Sequence, residues 1–247
     1  MIVEMILGKL CLLLADVFNM FGDIKRMLAD IESEVHFTRS YIGKDALDKR
    51  VMAAMARVPR DAFVPEKMKR LAFNNSPLPI GHDQTISQPY IVALMSDLLA
   101  LRADHRVLEV GTGCGYQTAI LSQLCAHVYS MERIAELAGV ARDHFATLNY
   151  TNIETRVGNG YDGWPEQAPY DGIVVTAAAS HIPDALVEQL KPGGNLVIPI
   201  GLANMHQELM LVHKDPDGEI KVVSILPVAF VPMVADKMRH QISGTIH

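Results

Sequence analysis

The chain has 247 residues, 22 basic against 28 acidic side chains, a formal net charge of −6 and 49% hydrophobic residues. No Lys/Arg run is longer than a pair, which argues against a dedicated nucleic-acid or acidic-membrane surface, because phosphate binding needs clustered cations. Ordinary Gly and Pro counts and 20% charged residues argue against disorder, and the length suits one large domain or one domain with appendages.

At the amino end Asp16, Asn19, Asp23, Arg26 and Asp30 fall on one helical stripe, and Leu10, Leu13, Leu14, Val17, Phe21, Ile24, Leu28 and Ile31 on the opposite one. That spacing predicts an amphipathic helix over residues 3–32. Its apolar face needs a cover: its own domain first, a second copy in a homodimer next, a membrane surface last. A span is excluded, because the apolar run Leu10–Ala15 falls far short of the roughly 20 residues required. Met1-Ile2-Val3-Glu4 lacks the basic start of a secretory signal. Cys11, Cys114 and Cys125 show no C-x-x-C spacing, so they read as free thiols of a reducing cytoplasm and give no metal site.

A second helix is expected over Asp45–Val58, ended by Pro59. Residues 63–89, rich in Pro and Asn, read as loop, and Lys67-Met68-Lys69-Arg70 as a solvated helical face. A helix over Gln88–Leu101 carries Pro89 in its first turn, where a missing N–H costs nothing. Strands and helices then alternate. Strands are expected at Arg106–Val110, His127–Met131, Ile153–Val157, Gly172–Thr176 and Gly194–Pro199, and helices at Gln117–Cys125, Ile134–Leu148 and Ile182–Leu190. Two more strands, Glu208–Lys214 and Lys221–Leu226, are joined through Pro216-Asp217-Gly218. This pattern predicts an α/β fold: a doubly wound, mostly parallel sheet with helices on both faces, plus the N-terminal helical extension. Three parts are expected: 1–36, the extension; 37–100, a helical segment; and 101–247, the sheet domain.

The informative stretch is Glu109-Val110-Gly111-Thr112-Gly113-Cys114-Gly115-Tyr116. A buried strand runs into three alternate glycines and a helix opens behind them, the arrangement of a backbone that turns tightly and lets a ligand approach. Tyr116 stands where the dinucleotide fingerprint has its third glycine, and the Lys-Ser/Thr of a P-loop is missing, so an adenosine-type ligand without phosphates fits better. Glu132, at the end of the next strand, suits the hydroxyls of a ribose. Asn159 and Asp171 are expected beside it, at the carboxyl edge of the sheet.

The glycine motif resembles the first motif of S-adenosylmethionine-dependent methyltransferases with a Rossmann-like fold. Further blocks resemble the protein-L-isoaspartate O-methyltransferase family: Gln84-Thr85-Ile86-Ser87-Gln88-Pro89-Tyr90, Gly158-Asn159-Gly160-Tyr161-Asp162-Gly163-Trp164, Leu190-Lys191-Pro192-Gly193-Gly194, Val197-Ile198-Pro199-Ile200-Gly201, and Phe230-Val231-Pro232-Met233. The similarity runs over about residues 40–235.

The resemblance implies methyl transfer from S-adenosyl-L-methionine, with S-adenosyl-L-homocysteine as product, to the α-carboxyl of L-isoaspartyl residues in damaged proteins and peptides. The ester then closes to a succinimide, whose hydrolysis returns some normal aspartyl linkages. It also implies a cofactor set of Thr85, Ile86, Glu109, Gly111, Thr112, Gly113, Cys114, Gln117, Glu132, Arg133, Asn159, Gly160 and Thr176. No metal is implied, and no nucleic-acid or membrane partner. Ser87 carries the active-site hydroxyl in this resemblance; alone it also reads as a helix N-cap. Backbone near Ile200-Gly201 is expected to support the peptide, and His82 is a weaker candidate for the site. Two departures stand out: Asn159 where the family usually has Asp, which implies a weaker acceptor for the adenine amine, and Ala229 where relatives often carry Arg. The competing readings are a methyltransferase acting on another carboxylate or small molecule, and a catalytically silent adenosine-binding protein.

Overall fold

The computed structural model describes residues 2–202 and 205–233, with residues 2–19 described by their backbone alone. Helix α1 (Ile2–Ile42) runs well past residue 32. It stops at Gly43, whose φ of 66° is cheap only for glycine and whose N–H reaches the Arg39 carbonyl at 2.9 Å. The expected apolar stripe continues through Val35 and Ile42, so the sequence pattern has no natural break before that glycine. Leu10, Leu13, Leu14 and Val17, with Asp16, Asn19 and Cys11, lie outside the described side chains.

Helix α2 (Lys49–Arg57) starts later than expected because Asp48 caps it, its Oδ1 accepting from Arg50 N at 2.7 Å. Residues 63–89 hold more structure than a loop. A 3₁₀ turn at Arg60–Phe63 leads to another at Glu66–Leu71, whose exposed face carries the basic stretch, with Lys69 paired to Glu66 at 2.8 Å. A hairpin follows, β1 (Leu78–Gly81) against β2 (Gln84–Ile86), closed by His82 and Asp83 at φ 53° and 56°. Helix α3 (Pro89–Leu98) begins behind Gln88, and it is buried almost throughout.

Seven strands make the main sheet: β3 (Arg106–Val110), β4 (His127–Glu132), β5 (Ile153–Val157), β6 (Tyr170–Val175), β7 (Leu190–Gly201), β8 (Gln207–Lys214) and β9 (Ile220–Val228). Their order is β5-β4-β3-β6-β7-β8-β9. Pairing is parallel from β5 to β7 and antiparallel from β7 through β9. Between lie α4 (Tyr116–Ser122), α5 (Ala135–Thr147) and α6 (Asp184–Gln189). The central strands are buried on both faces and mostly apolar there, with Glu109 and Ser130 as buried polar exceptions. Val107, Val128, Val174 and Val197 pack with the helices from α1 onward, and Leu108, Ile173 and Leu196 pack on the other face with Leu186 and Tyr170. This is the doubly wound, Rossmann-like sheet that the alternation predicts.

Strand order reverses between β3 and β6, so their carboxyl ends flank the switch-point crevice where such sheets bind ligands. Asp171 is not there. It opens β6 at the amino edge, where it accepts from Arg106 N and Lys191 Nζ, each at 2.7 Å, because a residue just before a strand lies at the wrong end of it for the crevice.

The described part of α1 packs on α2, α3 and β9, with Met27, Ile31 and Val35 buried in the main core. Pairing of two copies through this helix finds no support among the described residues. No helix among them is long and apolar enough to cross a membrane. The junction of α1 and α2 is fastened to α3 by Asp97, which is buried, accepts from Asp48 N at 2.7 Å and pairs with Lys44 Nζ at 2.5 Å. Replacing it by Ala leaves a part-buried N–H and a half-exposed ammonium without their acceptor. Asp97→Ala is therefore expected to lower stability by about 1–2 kcal/mol, read as a lower urea midpoint at unchanged m-value.

Candidate active site

The glycine loop forms because β3 ends against a neighbour too close for a side chain. Gly111, Gly113 and Gly115 all have left-handed φ, 101°, 54° and 93°. A Cβ at Gly111 would lie 2.3 Å from Thr176 Oγ1, which donates to the Gly111 carbonyl at 2.6 Å from the end of β6. Across the loop, the N–H groups of Gly111 and Thr112 both reach Met131 O, at 2.8 and 3.0 Å. Glu132, buried at the end of β4, accepts from Gly113 N at 2.8 Å through one oxygen and from Arg133 N and Ile134 N at 2.7 and 2.9 Å through the other. Those bonds use three of the roughly four acceptor positions of a carboxylate and leave room for a ligand hydroxyl.

Three adjoining recesses open along this edge. The first, with an empty volume of about 660 Å³ that includes open solvent, runs over the glycine loop between Glu132, Ile134 and Gly160. The second is a narrow recess beside Ile86, Cys114 and Gln117. The third, about 1230 Å³ of empty volume, lies between α1, the start of α3 and the end of β9. Thr85 and Thr176 line all three, and Ser87 lines the second and third.

Of the expected cofactor set, Thr85, Gly111, Gly113, Glu132, Arg133, Gly160 and Thr176 meet in the first recess. Ile86, Thr112, Cys114 and Gln117 join Thr85, Gly111, Gly113 and Thr176 in the second. Two residues fall outside. Asn159 follows β5, but its amide is engaged locally: the carbonyl accepts from Tyr161 N at 3.3 Å, the NH₂ donates to Asp162 at 3.1 Å, and the lining comes from Gly158 and Gly160. Glu109 points into the protein below the loop and is fully buried. Its Oε2 accepts from Ser130 Oγ at 2.6 Å and from Thr118 Oγ1, while Oε1 has no partner among the described residues. Burial pushes its carboxyl up to about 8 against the pull of those two hydroxyls, with the Glu132 charge adding to the rise.

Ser87 does not cap α3. Gln88 occupies the cap position, and the Ser87 hydroxyl makes no hydrogen bond among the described residues, half-exposed where two recesses meet. His82 sits exposed in the hairpin turn, away from the recesses. Backbone at Ile200-Gly201 is also engaged elsewhere: Gly201 N donates to Ala179 O at 2.9 Å, and the third recess takes its wall from residues 226–231 instead.

Sequence reasoning missed the apolar lining: Met131 and Ile134 on either side of Glu132, and Met233, whose sulfur lies 3.2 Å from where a Gly160 Cβ would be. The C-terminal block reaches the site because Ala178 N donates to Val231 O and Met233 N to Ala178 O, each at 2.8 Å. The available signal was slight: one apolar residue on each side, Met131 before Glu132 and Ile134 after Arg133. An acceptor beside a loop of glycines, with sulfur and aliphatic groups around it, suits an adenosyl ligand: hydroxyls toward the carboxylate, a flat ring among the apolar groups. Cβ atoms at Gly111 or Gly160 would collide with Thr176 or Val110, at 2.3 and 2.4 Å, so the cradle keeps its shape only with glycine.

A family model described as Protein-L-isoaspartate(D-aspartate) O-methyltransferase matches residues 38–238. A Polaromonas sp. protein named Protein-L-isoaspartate O-methyltransferase 2 is 54% identical over 211 residues, 85% of this chain and 100% of that one. One of the same name from Syntrophobacter fumaroxidans is 55% identical over 208 residues, 84% of each chain. Among solved structures, a protein-L-isoaspartate O-methyltransferase superposes with a TM-score of 0.74 at 26% identity; it covers 85% of this chain, which spans 65% of that longer one. A Plasmodium falciparum structure described as a beta-aspartate methyltransferase, in complex with S-adenosyl-L-homocysteine, gives a TM-score of 0.67 at 25% identity over 83% of this chain and 97% of that one.

Glu109 makes the site's stability depend on pH in a stated direction. Its folded pKa is raised, so the stability of the neutral form is complete below the unfolded value of 4.5 and is lost as pH rises toward about 8. Glu109→Gln has no proton to lose. Urea unfolding at pH 5, 6.5 and 8 should show the variant gaining on the wild type with rising pH, by up to about 1.4 kcal/mol per unit. Parallel curves would remove the buried neutral acid from the account.

Proposed function

The chain belongs to the protein-L-isoaspartate(D-aspartate) O-methyltransferase family, and on that premise we propose how its residues divide the work. The enzyme transfers a methyl group from S-adenosyl-L-methionine to the free α-carboxyl of L-isoaspartyl residues in damaged proteins and peptides, initiating their repair through a succinimide. When bound, the cofactor supplies a methyl group on a sulfonium centre. The residues that would hold it are those of the first two recesses. Glu132 offers its remaining acceptor position to the ribose. Gly158, Gly160, Met131 and Ile134 enclose the adenine, and Gly111, Gly113, Thr112 and Gln117 stand toward the methionine end.

In this reading the third recess takes the peptide, and Ser87 is the catalytic residue. A carboxylate with an ordinary pKa near ~4 is ionised at neutral pH, so the enzyme needs no base to prepare the nucleophile. Its task is to hold that carboxylate in line and keep water away, which makes positioning the main source of rate. The Ser87 hydroxyl is suited to this: it has no competing partner and stands where the peptide recess meets the recess beside the glycine loop. That uncommitted hydroxyl at the junction is the observation that carries the reading. Thr85 and Thr176 line the same junction, and the Thr176 hydroxyl is already donated to Gly111 O, which leaves it a structural part.

We assign residues 101–247 to cofactor binding, residues 37–100 to the substrate side with the Ile-Ser-Gln-Pro block, and residues 1–36 to an added helix. The continuous apolar core joins all three, so the division is one of function. We also assign the protein to the cytoplasm; the support is that Cys114 and Cys125 are free and buried.

The test uses labelled S-adenosylmethionine with an isoaspartyl peptide and its normal aspartyl counterpart. A base-labile methyl ester should form on the first alone. Ser87→Ala, which removes one hydrogen bond to a charged group, should lower turnover by about ten- to a hundredfold while cofactor affinity, measured by calorimetry, stays nearly unchanged. Full activity in that variant would return Ser87 to a purely structural part.

A further inference from the structure

The wall of the peptide recess contains a charge that the reaction does not use. Of the described side chains lining it, Glu34 is the only one with a formal charge; the others are hydroxyls, an amide and apolar groups, with a methyl at Ala229. Glu34 comes from α1, just before residue 38, where the family match begins. It is half-buried, and its carboxylate makes no hydrogen bond or ion pair among the described residues.

The helix face that carries it is fixed. Thr38, one turn on, donates its hydroxyl proton to Glu34 O at 2.7 Å and meets Tyr90 Oη at 2.5 Å. A hydroxyl has one proton to give, so in the second contact Tyr90 donates to Thr38. Tyr90 follows the Ser87-Gln88-Pro89 segment directly and donates its N–H to Asn75 Oδ1 at 3.0 Å. This chain of bonds ties α1 to the segment that carries Ser87, and it seats Glu34 beside the phenol. Tyr90 registers that neighbour: burial pushes its pKa up, and the Glu34 charge raises it further.

We propose that Glu34 is a specificity-determining residue that selects isoaspartyl peptides with a Lys or Arg side chain close to the damaged residue. The inference rests on the third recess being the peptide side. A carboxylate without a counter-charge among the described residues, on a wall whose other described side chains carry no formal charge, attracts a cation carried by the bound chain and repels an acid there. The isoaspartyl carboxylate is directed toward Ser87, whereas flanking side chains cross the wall formed by α1. Because Glu34 is part-exposed, the effect is that of a screened pair and not of a buried one.

The experiment compares kcat/KM for three isoaspartyl peptides that differ only beside the isoaspartyl residue, carrying Lys, Gln or Glu there. The wild type should favour the Lys peptide over the Glu peptide by roughly fivefold, less at high salt. Glu34→Gln should bring the ratio close to one and Glu34→Lys should invert it. The ratio is read within each variant, so a general loss of activity does not imitate it. A wild type without preference, or a ratio unmoved by both substitutions, overturns the proposal. If Ser87→Ala still loses turnover in that case, the peptide recess stands and only the role of Glu34 falls. Full activity of Ser87→Ala removes the recess assignment itself and the proposal with it.

Discussion

The carboxyl edge of the sheet is organised by one close approach of backbone to side chain. Where β3 gives way to the glycine loop, Thr176 Oγ1 stands in the space a Cβ at Gly111 would need, and the same hydroxyl closes the contact by donating to the Gly111 carbonyl. That contact fixes the distance between β3 and β6 at the switch point. Once it is fixed, the loop N–H groups can reach Met131 O and Glu132, α4 can start from Gly115, and Thr176 faces all the recesses at once. The same construction explains why the loop tolerates so little change: each glycine is required by conformation, and at Gly111 and Gly115 by the space that neighbours already fill.

Two carboxylates lie on either side of this loop in opposite surroundings. Glu132 receives three backbone N–H groups and faces the recess, so it is held as an acceptor for whatever lies there. Glu109 is enclosed in the core with only hydroxyl donors on one oxygen, and burial outweighs them. The sequence places both residues near the ends of expected strands, and nothing in the residue type separates them. What separates them is strand geometry: Glu109 points inward from the middle of β3, whereas Glu132 is the last residue of β4 and has the loop's N–H groups in front of it.

Much of this was legible because parallel strands buried on both faces leave a coarse and reliable pattern. The limits of β3 and β5 agree with those expected, and the glycine spacing identifies the loop without help from the structure. The misses have physical causes of the same kind. The hairpin at Leu78–Ile86 escaped because its turn uses His82 and Asp83 at positive φ, where Asn or Gly is the usual signal. Asp171 was assigned to the crevice although a residue that opens a parallel strand lies at its amino end. Asn159 has the right position, but its amide can satisfy Tyr161 and Asp162 locally, and that competition is invisible until the turn is built. Of the recess wall at residues 226–231, the family resemblance singled out Ala229 and Phe230-Val231, but their place beside α3 could not be read, since it depends on an antiparallel meander bringing a distant segment back.

The amino-terminal helix shows how an added element becomes part of a site. Its apolar excess first requires only a cover, and Met27, Ile31 and Val35 find one in the chain's own core. Burying that stripe fixes the rotation of the helix, and a fixed rotation decides which of its polar residues face the recess. With Val35 turned inward, Glu34 and Thr38 are left on the flank beside Tyr90, and the Thr38–Tyr90 bond locks them there. Hydrophobic packing, which carries no chemical specificity, thus determines the position of the one formal charge among the described side chains of the third recess.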